Sequence, residues 1–384
     1  MQRAGLYIHI PFCRIKCNYC DFNSYAGLDS LHDRYVHALC LEVRNSSPAL
    51  ASSGLEVDTI YIGGGTPTVL PTPSLATILR VCQESFRCLP DAEISVEANP
   101  GTVDHCSLAA LYAAGVDRLS LGAQSFFQDE LCLLGRIHTP GQIRQALEIG
   151  RAAGFENINL DLMYGLPGQS VARWRLTLEQ ALDLRPEHLS LYALSVEQGT
   201  PLARTIADST LPLIDPDLAA EMYELARDLL AQANYQNYEL SNWCMPTRAC
   251  RHNLKYWRTD IYIGFGAGAH SYYAGQRWRN AKQPSDYVAI LESDRSPREA
   301  TMTITPTESM AESMILGLRL LEGVSADEFE LRHGCDLYAV YTSELAELSQ
   351  LGLVTTRNRR VCLTERGLLL ANQVFGRFWP PASK

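Results

Sequence analysis

Cys13, Cys17 and Cys20 stand in one short run, Tyr7-Ile-His-Ile-Pro-Phe-Cys-Arg-Ile-Lys-Cys-Asn-Tyr-Cys-Asp-Phe22. Soft sulfur ligands favour iron–sulfur, zinc or copper(I) over hard cations. A [4Fe–4S] cluster normally takes four cysteines, and the local count stops at three, so one iron keeps an open position. A metal site that lacks a protein ligand is a reactive one. A zinc knuckle would need a fourth Cys or His at metal-ligand spacing, and no second pair follows nearby.

A second group of residues repeats this theme. Gly63, Gly64 and Gly65, followed by Thr66 and Pro67, expose backbone polar groups and let a ligand approach where a Cβ would block it. Glu97, Gln124 and Asp161 fall at or near the ends of apolar runs, where polar side chains suggest recognition of a polar ligand. Asp161 has the chemistry to accept bonds from a ribose diol, and Arg136 to meet a carboxylate as a fork.

Elements must position these residues. The first ~200 residues alternate apolar runs with helical patterns, the sign of βα units around a parallel sheet. Strands are expected at 6–10, 57–62, 93–97, 118–122, 157–163 and 188–193, with helices at 31–44, 74–85, 139–153 and 172–184. Six strands make an α/β fold, an open (β/α)6 barrel short of the full eight, with ligands at the carboxyl ends of its strands. Pro212 and Pro216 bound a break before a helix at 218–233. The stretch 235–300 reads as aromatic-rich and irregular. Helices at 307–321, 326–332 and 337–351, a hairpin at 354–363 turning at Asn358, and a last helix capped by Thr364 give a winged-helix-like C-terminal domain. The expected division is 1–235, 236–303 and 304–384.

Composition sets outer limits. The 384 residues are 46% hydrophobic and 20% charged, ordinary for a globular protein. No run approaches the ~18 apolar residues of a membrane span, and no signal peptide is legible. Twelve cysteines without a disulfide-like framework suit a reducing cytoplasm. A net charge of −10 argues against broad nucleic-acid binding. Arg357, Arg359 and Arg360 on the hairpin therefore read as a solvated wing.

The cysteine loop and glycine run resemble the radical S-adenosylmethionine (SAM) superfamily, in which the SAM amine and carboxylate fill the open iron position. Along the chain, Tyr7-Ile-His-Ile-Pro-Phe-Cys13, Gly63-Gly-Gly-Thr-Pro67, Asp161-Leu-Met-Tyr-Gly-Leu-Pro-Gly168 and Tyr192-Ala-Leu194 resemble its branch of oxygen-independent coproporphyrinogen oxidases and their haem-chaperone relatives. The resemblance implies SAM contacts at Tyr7, Tyr19, Gly64, Gly65, Thr66, Glu97, Gln124, Arg136, Asp161 and Ala193. In some members of that branch Gln124, Arg136 and Asp161 match positions implicated in a second SAM.

Two places discriminate within the branch. The oxidases carry a fourth cysteine two residues beyond the third, where this chain has Phe22; and His252-Asn-Leu-Lys-Tyr-Trp257 matches the HNxxYW motif of the chaperone relatives. Both point to a haem chaperone serving haem-requiring, respiratory proteins, cytoplasmic with room for peripheral membrane association and for a homodimer. His252 is then the candidate axial haem ligand, beside the aromatic Tyr256 and Trp257. A buried, hydrogen-bonded His252 is the alternative. Cys250 is a thiolate candidate that reads better as core. Gly264-Phe-Gly-Ala-Gly-Ala269 is a weak glycine signal, and His270 beside it stays open. The competing activities are the oxidase reaction, in which a 5′-deoxyadenosyl radical abstracts hydrogen from a propionate arm of coproporphyrinogen III, and radical SAM chemistry on another tetrapyrrole.

Overall fold

The computed structural model describes residues 2–51, 53–213 and 215–380. The six expected strands form as β1 (Gln2–Ile10), β2 (Leu55–Gly64), β3 (Cys88–Ala98), β4 (Arg118–Gln124), β5 (Ile158–Tyr164) and β6 (His188–Ala193). Each pairs in parallel with the next. Helices between them cover one face of the sheet. That at Pro140–Ala152 starts at a Thr139 capping box with proline in its first turn, an arrangement that satisfies the free N–H groups.

Alternation along the strands separates two environments, because successive side chains point to opposite faces. In β4, Leu119, Leu121 and Ala123 join the apolar core against the helices, while Arg118, Ser120, Gly122 and Gln124 face a cavity inside the sheet. In β5, Ile158, Leu160 and Leu162 go to the core, while Asn159, Asp161 and Met163 face the cavity. Bulky branched apolar side chains usually fill a closed barrel; the polar lining here leaves room for a polar ligand.

The stretch 235–300 corrects its expected irregularity. It supplies β7 (Gln236–Glu239), β8 (Asn242–Cys244), β9 (Ile261–Phe265), β10 (His270–Tyr273), β11 (Gln276–Asn280) and β12 (Arg298–Thr303). Strand β9 pairs in parallel with β1. The whole sheet runs β12-β11-β10-β9-β1-β2-β3-β4-β5-β6-β8-β7. Short strands rich in polar and aromatic residues mask the alternation that marks a strand, yet Tyr and Trp suit one covered face.

The C-terminal region has its own apolar core, built on Met314, Leu318, Phe329, Leu348 and Val374 among others. It combines helices with a three-stranded sheet whose hairpin, Val354–Arg357 with Arg360–Leu363, turns through left-handed Asn358 and Arg359. Thr364 caps the following helix by accepting from Gly367 N–H. The single helix expected at 337–351 is two, Leu337–Val340 and Thr342–Gln350. Between them Tyr341 leaves helical geometry and packs edge-on against Phe329 and Phe378. The region touches both flanks of the large sheet, through a Glu239–Leu320 bridge and an Arg277–Glu312 ion pair. Among the described residues no helix is long and apolar enough to cross a membrane.

Candidate functional site

The cysteine loop leaves β1 at its carboxyl end and is pinned along its length. Phe12–Cys13 pairs with Tyr25–Ala26, and Lys16 Nζ donates to the carbonyls of Phe22 and Ser24 at 3.0 and 3.2 Å. Asn18 Nδ2 donates to Leu133 O at 2.9 Å. Each sulfur has a polar neighbour. Thr66 Oγ1 donates to Cys13 Sγ at 3.7 Å, Ser24 Oγ lies 3.7 Å from Cys20 Sγ, and Arg136 Nη1 donates to Cys17 Sγ at 3.5 Å. Such neighbours favour thiolates and tune a cluster's charge. Burial itself pushes the Cys13 thiol upward, against the bond from Thr66.

The glycine run docks the end of β2 on this loop. Gly65 N–H donates to Ile10 O at 2.9 Å and Thr66 N–H to Phe12 O at 2.8 Å. A Cβ on Gly65 would lie 2.6 Å from Phe12 O and 2.9 Å from Cys13 Sγ. Gly64 holds φ +120°, and a Cβ there would meet the His9 ring at 2.6 Å. Only glycine allows this approach. Gly64 N–H and Tyr61 Oη–H both donate to Glu97, at 3.0 and 2.8 Å.

One cavity of about 430 Å³ gathers these parts. The three cysteines and Tyr19 line it, as do Gly64, Gly65, Thr66 and Glu97. Gln124, Arg136, Asp161 and Ala193 complete it from later strands and loops. Gln124 has φ 66° at a register shift between β4 and β5, left-handed backbone that non-glycine residues adopt at a cost of roughly 1–2 kcal/mol and that concentrates at functional sites. Asp161 accepts from Asn159 Nδ2 at 2.8 Å. Burial raises the pKa of Glu97 to about 7, with the Asp161 charge adding to it, and burial raises Asp161 too.

The donor set fits an iron–sulfur cluster. Among the described residues no group of three or more His, Cys, Asp and Glu side chains is already placed to hold a single metal ion. A four-iron cluster takes one cysteine per iron, and three cysteines around a single cavity match that need. Phe22 lines the same cavity and is 66% exposed.

Two expected site residues, Tyr7 and His252, fall elsewhere or act differently. Tyr7 stands outside the cavity lining, bonded to His9 Nδ1 at 2.9 Å and ring-to-ring with Tyr61. Arg136 lines the cavity; its Nη2 donates to Gly122 O and to Asn99 Oδ1, and its Nε is buried without a partner. His252 is 1% exposed, with Nδ1 2.8 Å from Thr59 Oγ1 and Nε2 3.0 Å from Tyr256 Oη. Burial lowers its pKa to about 3, helped by Lys255 and Arg118. With both ring nitrogens engaged, His252 has none to offer iron in this arrangement, and the alternative of a buried, hydrogen-bonded histidine describes it. Cys250 is buried, in keeping with a core role.

Sequence reasoning missed Arg118, which lines the cavity with Nε and Nη1 buried and unpartnered, and Asn99, which links Arg136 to Thr66. The alternation Arg118-x-Ser120-x-Gly122 was the available signal.

Residues 7–181 match the family model of the radical SAM superfamily, and 304–370 that of the HemN C-terminal domain. Fold and site thus define a radical SAM protein. "Heme chaperone HemW" of Bacillus subtilis is 38% identical over 374 residues, spanning 97% of this chain and 98% of its own. The protein of that name in Escherichia coli is 38% identical over 385 residues, 97% of either chain. The solved coproporphyrinogen III oxidase HemN of Escherichia coli superposes with a TM-score of 0.86 at 25% identity, over 98% of this chain and 90% of that one. The chain belongs to the HemW family.

Proposed function

We propose that this protein is a haem chaperone: it binds haem and hands it to haem-requiring proteins, respiratory enzymes at the membrane among them, from the cytoplasm. Cys13, Cys17 and Cys20 hold a [4Fe–4S] cluster, and SAM occupies the cavity between the cysteine loop and the ends of β2 to β6. When bound, that pair supplies a redox-active, SAM-ligated iron centre. The chain's own residues bind and orient it: Gly64 and Gly65 admit the ligand, Gln124, Asp161 and Ala193 line its site, and Arg136 stands against Cys17. The protein's part in cofactor systems of this kind is binding, orientation and electrostatics.

The observation that carries the reading is the near full-length match to proteins named heme chaperone HemW, in a chain with Phe22 where the oxidases carry a fourth cysteine. The competing reading is coproporphyrinogen III oxidation, supported by the likeness to HemN. Anaerobic incubation of the reconstituted protein with coproporphyrinogen III, SAM and a reductant separates them. The chaperone reading expects neither decarboxylated product nor substrate-linked 5′-deoxyadenosine; turnover would establish the oxidase instead.

A further inference from the structure

The cavity that opens at the cysteine loop runs down to a polar floor. Arg118 opens β4, four residues before Gly122, whose carbonyl holds the Arg136 that reaches Cys17. At a strand rise of about 3.3 Å per residue, Arg118 lies roughly 13 Å below that level. Both levels belong to the one cavity of about 430 Å³. In register, Arg118 lies opposite Ser95 of β3, and Ser95 opposite Tyr61 of β2. Glu97, two residues on from Ser95, faces the same way and stands nearer the cysteines.

Helix Arg251–Trp257 closes this end. Glu93 accepts from the N–H groups of Arg251 and His252 at 3.1 and 3.2 Å, which caps the helix start. His252 and Lys255 tie the helix to Thr59 and Asp58 of β2. Gly5 of β1 makes room for it: a Cβ there would lie 2.8 Å from Lys255 Cδ and 3.0 Å from His252 Cε1. Asn253 of the same helix lines the cavity.

The floor holds polar groups that have nothing to bind. Arg118 is 1% exposed and forms no hydrogen bond or ion pair among the described residues, with Nε and Nη1 fully buried. Glu93 is near enough to feel its charge, but both Glu93 oxygens already serve the helix start. The buried Ser95 hydroxyl is unpartnered as well, and the side-chain amide of Asn253 has no partner among the described residues. Burying a cation without a partner is strongly unfavourable, and groups of this kind gathered in one place call for an occupant. Its charge follows from the surroundings. Arg118 attracts an anion, whereas Glu97 and Asp161 in the same cavity repel a bare one.

We infer that this floor is a second ligand subsite, separate from the one at the cysteine loop, and that it receives an α-amino carboxylate. The ligand's carboxylate meets the Arg118 guanidinium and the Asn253 amide, and its ammonium faces Glu97 and Asp161. A free amino acid and the amino-acid end of an adenosyl compound both carry that pair of charges. The subsite goes beyond the chaperone reading and holds whether or not haem is the cargo.

The test is isothermal titration of the full-length, anaerobically reconstituted protein, already saturated with SAM, using free methionine as the probe. Methylthiopropylamine, which is methionine without its carboxylate, is the control. Methionine should bind while the electron paramagnetic resonance signal of the SAM-loaded cluster stays unchanged. The amine should bind roughly tenfold more weakly or worse, the scale of one charge-assisted hydrogen bond. Arg118→Gln should remove methionine binding. Asn253→Asp keeps the side chain's shape, sets a charge against the carboxylate and should weaken binding by a similar factor; it carries the test if Arg118→Gln does not fold. S-Adenosylhomocysteine that binds beyond the SAM already held, where methionine does not, and that is lost in the same variants, assigns the group to an adenosyl compound. Probe binding that both variants leave unchanged overturns the subsite, as does methionine that binds only by displacing SAM, or no binding of either probe.

Discussion

Nε2 of His252 and the hydroxyl of Tyr256 lie 3.0 Å apart, joining the first and fifth residues of the HNxxYW run across one helical turn. On the other side of the imidazole, Nδ1 meets Thr59 Oγ1 at 2.8 Å. Removing the ring therefore strands two polar partners and opens a hole between β2 and the helix. Leaving a buried polar group unsatisfied costs roughly 1–3 kcal/mol. His252→Ala should lower the urea midpoint correspondingly, whereas His252→Asn, which keeps one bond, should recover part of the loss.

Lys255, one turn along, forms a buried ion pair. Its Nζ lies 2.6 Å from Asp58 Oδ1, with the side chains 6% and 10% exposed. Breaking such a pair leaves an uncompensated charge inside, at about 3–5 kcal/mol. Asp58→Asn should be among the most destabilising single substitutions on β2. Thermal unfolding of Asp58→Asn beside an Asp58→Asn/Lys255→Met double variant checks this, the double being closer to wild type.

Glu97 makes stability depend on pH. Its folded pKa, about 7, is above the ordinary carboxylate value because burial, then the Asp161 charge, disfavour ionisation. A raised folded pKa gives a contribution that is fully present below the unfolded value and is lost as pH rises through the folded one. The window is about pH 4.5 to 7. At about 1.4 kcal/mol per pKa unit this partly buried group carries at most about 3 kcal/mol. Protein without bound ligands should lose stability relative to Glu97→Gln as pH climbs from 5 to 8, read from urea midpoints; parallel curves would remove Glu97 as the cause.

Gly65 tests the cluster cradle. The added Cβ of Gly65→Ala collides with Phe12 O at 2.6 Å and approaches Cys13 Sγ at 2.9 Å, so the cysteine loop must move. Overpacking of this kind costs about 1–3 kcal/mol. Iron and sulfide per chain after reconstitution should fall by half or more while circular dichroism stays native-like. Full cluster loading would contradict the close packing of loop and glycine run.

The parallel strands were readable because each is an apolar run bounded by turn residues, and the cysteine loop because three thiols so close have few other uses. Gly64 and Gly65 were readable as a cradle, since an unbroken glycine run has little value to a strand. Arg118 was not, because a charged residue opening an apolar strand reads as a boundary when it in fact points inward beside Ser120 and Gly122. The strands of 236–303 were hidden by length: a run such as His270–Tyr273 is too short to show a period. His252 carried the motif of a ligand, but its partners Thr59 and Tyr256 come from tertiary packing and one helical turn, which composition does not disclose.

Whether this chain carries haem is decided by the stoichiometry of its binding. Anaerobically reconstituted protein titrated with haem, followed at the Soret band, should saturate at one haem per chain with micromolar or tighter affinity. A linear, unsaturable rise equal to that of an unrelated protein would contradict it.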